Sequence, residues 1–93
     1  MADSTMLAML KTDLGIITST AYDARLTQLL TAAESAIRKE GASTLDASDP
    51  LDQQLIVMYA AWTWRKRDTG EGMPRMLRYA LNCRVFSRKM QVT

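Results

Sequence analysis

Residues 50–68 read PLDQQLIVMYAAWTWRKRD. Asp49 before Pro50 has the chemistry of a helix start, with Asp49 as N-cap, Pro50 at the first helical position and Asp52 in the first turn. The stretch holds both tryptophans and the longest uninterrupted apolar run, Leu55 to Trp62. That run is far shorter than the roughly 20 residues needed to span a bilayer, so no membrane contact is expected. Successive helix residues turn by about 100°, which sets Trp62 and Trp64 about 200° apart. Trp62 continues the stripe Leu51, Leu55, Met58, whereas Trp64 belongs with Val57, Ala60 and Ala61. A helix apolar on both sides must be covered on both sides. The stretch therefore predicts a central helix, Pro50 to about Asp68, lying between other helices. On this reading Trp62 is core and Trp64 lies at or near a contact with another subunit.

The flanking segments supply those other helices. Residues 20–41 carry the clearest amphipathic pattern. Tyr22, Leu26, Leu29, Leu30, Ala33, Ala36 and Ile37 form one stripe, Arg38 and Lys39 sit at the negative end of the helix dipole, and Gly41 is a natural stop. Thr20 followed by Asp23 resembles a capping box at its start. A short first helix is expected over Thr5 to Lys11, broken by Gly15 and the Ser/Thr cluster after it. Leu14, Ile16 and Ile17 make the loop that follows one that packs down. Gly70 and Gly72 end the tryptophan helix, and Pro74 restarts the chain as the first residue of a last helix running to Lys89 or Met90, with residues 91–93 frayed. No stretch alternates as a half-buried strand does. The expected fold is all-α, a single domain over residues 1–93 built as a small bundle of about four helices.

The last helix repeats the problem of the central one. Met73, Met76, Leu77, Ala80 and Leu81 make one apolar stripe, and Tyr79, Cys83, Phe86 and Met90 make a second. Two helices with two apolar faces each exceed the needs of one small bundle, and the surplus predicts a subunit interface. Val57, Trp64, Tyr79, Phe86 and Met90 are its candidate residues.

Charge is divided along the chain. The formal charge is +2 overall, but residues 1–64 sum to −4 and residues 65–93 to +6. Arg65, Lys66, Arg67, Arg75, Arg78 and Arg88 form the candidate basic surface, toward an acidic partner or a DNA channel. A plainer reading is that these long side chains solvate two outer helix faces.

Few chemistries fit. The chain has no histidine, which removes the commonest general base and the Ser/His and Cys/His arrangements. The single cysteine, Cys83, excludes an internal disulfide, fits a reducing compartment, and on an apolar stripe reads as buried and inert. Asp46, Asp49 and Asp52 lack the glycine turn and terminal glutamate of a calcium loop, so helix-start chemistry explains them better than a metal. No leader segment with a basic start and a long apolar run is visible. No catalytic residue, cofactor or metal is expected. Arg65-Lys66-Arg67 beside aromatics has the composition of a nucleic-acid contact, but three consecutive helix residues point in three directions. The connection RDTGEGMP is also longer than the tight turn of a helix-turn-helix.

Three segments together resemble the small helical head–tail connector proteins of long-tailed, siphovirus-type bacteriophages, also called head-completion or adaptor proteins. MLAMLKTDLGI (residues 6–16) is similar to the family's opening helix and the turn after it. AYDARLTQLLTAAESAIRKEGAS (residues 21–43) is similar to its long second helix. LIVMYAAWTWRKRDTGEGMPRMLRYALNCRVFSRKMQ (residues 55–91) is similar to its third and last helices, and the run MPRMLRYALN is the most specific piece. The resemblance implies a structural virion protein, phage- or prophage-encoded, that forms or joins a ring between portal and tail. Its implied partners are further copies of itself, the portal protein, a tail or stopper protein, and DNA passing through without sequence-specific binding. Its implied place is the head–tail junction, and the cytoplasm of the bacterial host during assembly. The rival expectation, from charge alone, is a small helical DNA-binding regulator using the basic C-terminal half.

Overall fold

A computed structural model of the chain describes residues 4–16, 20–42, 45–70 and 72–92, with residues 4, 67–69 and 87–92 described in their backbone only. Four helices, α1 (Ser4–Leu14), α2 (Asp23–Lys39), α3 (Pro50–Thr69) and α4 (Arg75–Val92), form an all-α bundle, and no strand occurs among the described residues. No helix among them is long and apolar enough to cross a membrane.

The helix ends follow local chemistry, with three departures from expectation. Helix α1 runs on to Leu14, where Gly15 at φ 74° ends it and Ile16 N–H returns to the Lys11 carbonyl at 2.9 Å. Helix α2 begins at Asp23 rather than after a Thr20 cap. Tyr22 occupies the N-cap position without a side-chain cap, and the Thr20 carbonyl instead closes a turn onto Asp23 N–H. Asp23 is thus at the first helical position, and its carboxylate meets Lys11 Nζ at 2.9 Å, tying α1 to the start of α2. Helix α4 starts just after Pro74 and continues through Gln91 and Val92, which the sequence reading treated as frayed; Ile17 and Thr93 lie outside the described residues. The start of α3 is as expected: Asp49 accepts a hydrogen bond from Leu51 N–H and Pro50 follows it. Gly70, at φ 67°, closes α3 by donating to the Lys66 carbonyl at 2.7 Å.

The core is built around α3. Met6 and Leu10 of α1, Leu26, Leu30 and Ile37 of α2, and Ile56 and Val57 of α3 are all essentially inaccessible, as are Leu77 and Leu81 of α4. Helix α3 packs most extensively on α2 and α1 and much less on α4. This alters the sidedness read from the sequence. The stripe of Val57, Ala60 and Ala61 is the deeply buried one, while on the Trp62 stripe Leu55 is buried as expected and Leu51, at its head, is 76% exposed. Periodicity locates two apolar stripes on such a helix but not which stripe faces the larger contact. The Cα atoms span 46 × 27 × 17 Å. The short dimension is about two helix layers at the usual interaxial spacing of roughly 8–10 Å, so each helix keeps an outer face.

Gly41 is the tightest point. Its φ of +127° is a conformation L side chains rarely adopt, and a Cβ there would lie 3.0 Å from Val85 Cγ1 on α4. Gly41→Ala is expected to lower stability by about 1–3 kcal/mol, read from the urea midpoint at unchanged slope.

Candidate protein interaction surface

Helix α4 has the fewest neighbours of any long helix in the bundle, and this exposes part of it. Leu77 and Leu81 enter the core, while Met76, Tyr79 and Phe86 are 73%, 68% and 62% exposed and Cys83 is exposed beside them. Met76, which the sequence assigns to the inner stripe, therefore belongs to the outer one. Cys83, expected to be buried, stands on the outer stripe as well. The four side chains form a ridge with an open groove on either side. One groove runs past Glu40, Asn82 and Val85. The other lies between α3 and α4, lined by Leu51, Leu55, Met58 and Ala80. Both grooves reach Cys83.

The candidate interface residues divide accordingly. Tyr79 and Phe86 lie on the ridge. Val57 is 1% exposed and is a core residue, so it is withdrawn from the interface. Trp64 is half-buried against the core, edge-on to Tyr22 with ring centroids 5.4 Å apart. Trp62 is also half-buried: its Nε1–H donates to the Gly72 carbonyl at 3.1 Å and its ring meets Tyr59 edge-on. The side chain of Met90 lies outside the described residues.

Among the described side chains, the basic residues do not make one open surface. Arg65 Nη2 donates to the Asp13 carbonyl at 3.2 Å, near the end of α1. Lys66 Nζ sits 4.2 Å above the Trp62 ring. Arg78 approaches Glu40 at 3.7 Å. Arg75 is exposed at the start of α4, and the side chains of Arg67 and Arg88 lie outside the described residues. Part of the charge division seen in the sequence is thus resolved inside the chain, with α4 cations meeting Glu40, just after α2, and Asp52 of α3.

The strongest such contact is one the sequence reading missed. Asp52, only 5% exposed, receives Arg84 through Nε at 2.8 Å and Nη2 at 3.2 Å, and accepts the Asp46 N–H at 2.9 Å. The hydrogen bonding to Asp52 holds the Arg84 guanidinium's pKa above its already high ordinary value. Asp46 caps its own turn, and the Ser48 hydroxyl and N–H hold its carboxyl below the ordinary aspartate value. All three aspartates of this connection are engaged in local or tertiary hydrogen bonds. Among the described residues no cluster of three or more potential metal ligands occurs.

No protein-family model, curated protein or solved structure matches this chain.

Proposed function

We propose that the chain is a structural subunit of a phage head–tail connector, not an enzyme: it joins a ring between portal and tail and extends the DNA channel. The observation that carries this reading is the exposed apolar ridge of α4 with its flanking grooves, apolar surface that the domain does not use for its own core. The resemblance of residues 6–16, 21–43 and 55–91 to connector proteins supplies the kind of assembly. The partners on this reading are further copies of the chain, the portal and a tail or stopper protein. DNA passes through the ring without being read. The place of action is the virion's head–tail junction, reached from the bacterial cytoplasm, and the source is a phage or a prophage.

Sedimentation velocity of the chain with the portal protein of the phage or prophage that encodes it tests the proposal. The chain is expected to move with the portal, less so at high salt, because cations such as Arg75 then meet a screened acidic surface. No co-migration, together with a shift of duplex DNA that weakens steeply as salt rises, would overturn it in favour of a DNA-binding regulator.

A further inference from the structure

We infer that the outer face of α4 is a parallel helix–helix seam through which two copies of this chain pair. Met76, Tyr79, Cys83 and Phe86 succeed one another at steps of three, four and three residues. That is the a/d spacing of a coiled-coil seam, a narrow stripe that fits another α-helix. The same spacing continues by register to residue 90. The stripe lies on the side of α4 away from Leu77 and Leu81, so the core stands behind it, and only Glu40 and the α3 residues that wall its grooves flank the contact.

The ridge and its grooves adjoin and share Cys83, so ridge and receptor are one patch. A patch that carries both complements pairs with itself about a two-fold axis, whereas a ring needs two separate patches. The residues beside the seam choose its direction. In a parallel pair the flanking position 75 lies opposite position 80 of the second copy, and position 82 opposite position 87, pairings that oppose no two like charges. An antiparallel pair in the register that matches 79 with 83 sets position 75 opposite position 89, both basic in the sequence. The parallel arrangement also sets Cys83 against Cys83 in one layer.

Size sets the strength. Exposures of 62–73% on three large side chains leave roughly 100–150 Å² on each. Two copies together then bury somewhat under about 1,200 Å², in the range of weak, concentration-dependent association. Helix α4 carries Arg75, Arg78, Arg84, Arg88 and Lys89 and no acid; Glu40 and Asp52 offset two of these charges, and the positive excess that is left makes two copies side by side repel and pair more tightly as salt rises. This inference stands apart from the connector reading and is tested on the chain alone. If both hold, the pair is a dispersed form that must part before ring assembly.

The test is sedimentation equilibrium over a wide concentration range at low and high salt, with a reducing agent present to exclude disulfides. A monomer–dimer equilibrium is expected, with a dissociation constant on the order of tens of micromolar that falls as salt rises. Tyr79→Lys/Phe86→Lys is expected to remain monomeric with an unchanged helical circular dichroism spectrum. A second arm treats the unsubstituted chain with diamide, which takes up the two electrons and two protons released as two Cys83 thiols become a disulfide. Cross-linking is expected to be at least ten times faster than for Ser35→Cys/Cys83→Ser, whose thiol sits on an exposed α2 position. A monomer at every concentration, a dimer unaffected by the two lysines, or equal cross-linking rates would each overturn the inference.

Discussion

Asp52→Ala is expected to destabilise the chain by about 3 kcal/mol, because it breaks a largely buried ion pair and leaves the other partner behind. Two groups lose their acceptor together: the Arg84 guanidinium, whose side chain is 20% exposed, and the Asp46 N–H. The contact spans three parts of the fold. It joins the α2–α3 connection, the first turn of α3 and the middle of α4. Helix α4 has little other packing, so the loss falls on the element least able to absorb it. Arg84→Met removes the charge while keeping an apolar stem over the same surface, and is expected to cost less, about 1–2 kcal/mol. The double variant is expected to be more stable than the sum of the two singles implies, since each single already loses the pair. Urea denaturation of all four proteins measures this. An Asp52→Ala change within about 0.5 kcal/mol of the parent would show that the pair is solvated and carries no such role.

Ile56→Ala is expected to cost about 3–4 kcal/mol, the range for emptying a fully buried aliphatic site. Ile56 is wholly inaccessible in the first half of α3. The informative control lies on the same helix. Leu51→Ala removes a side chain that is 76% exposed and is expected to change stability by less than about 0.5 kcal/mol. The sequence groups Leu51 with Leu55, Met58 and Trp62 as one inner stripe, and only the packing of α3 separates it from them. Comparable losses for the two variants would mean that the stripe starting at Leu51 is covered after all.

These two cases show what was legible beforehand. Features decided within a few residues could be read directly. The α2 stripe from Leu26 to Ile37, the Asp49-Pro50 helix start and the stops at Gly15, Gly41 and Gly70 all follow from local spacing and backbone preference. The start of α2 was misplaced because Thr20 has the right side chain for a cap, yet its carbonyl closes a turn that delays the helix to Asp23. Sidedness was not legible where a helix is apolar all round, since periodicity gives stripes without naming their neighbours. Val57 was therefore assigned to a surface and Leu51 to the core. The outer ridge of α4 was partly legible: Tyr79, Cys83 and Phe86 were read as a second stripe, but Met76 was placed on the inner one and Cys83 was expected to be buried. The Asp52–Arg84 pair joins residues 32 positions apart and leaves no trace in local pattern. Asp52 looked like a helix-start residue because it stands where such residues stand.

Electron cryo-microscopy of the purified chain mixed with its portal is the most direct test of the connector reading. The expected result is a closed ring of this chain seated on the tail-facing end of the portal, around an open channel. A bare portal, with the chain recovered on duplex DNA instead, would contradict it.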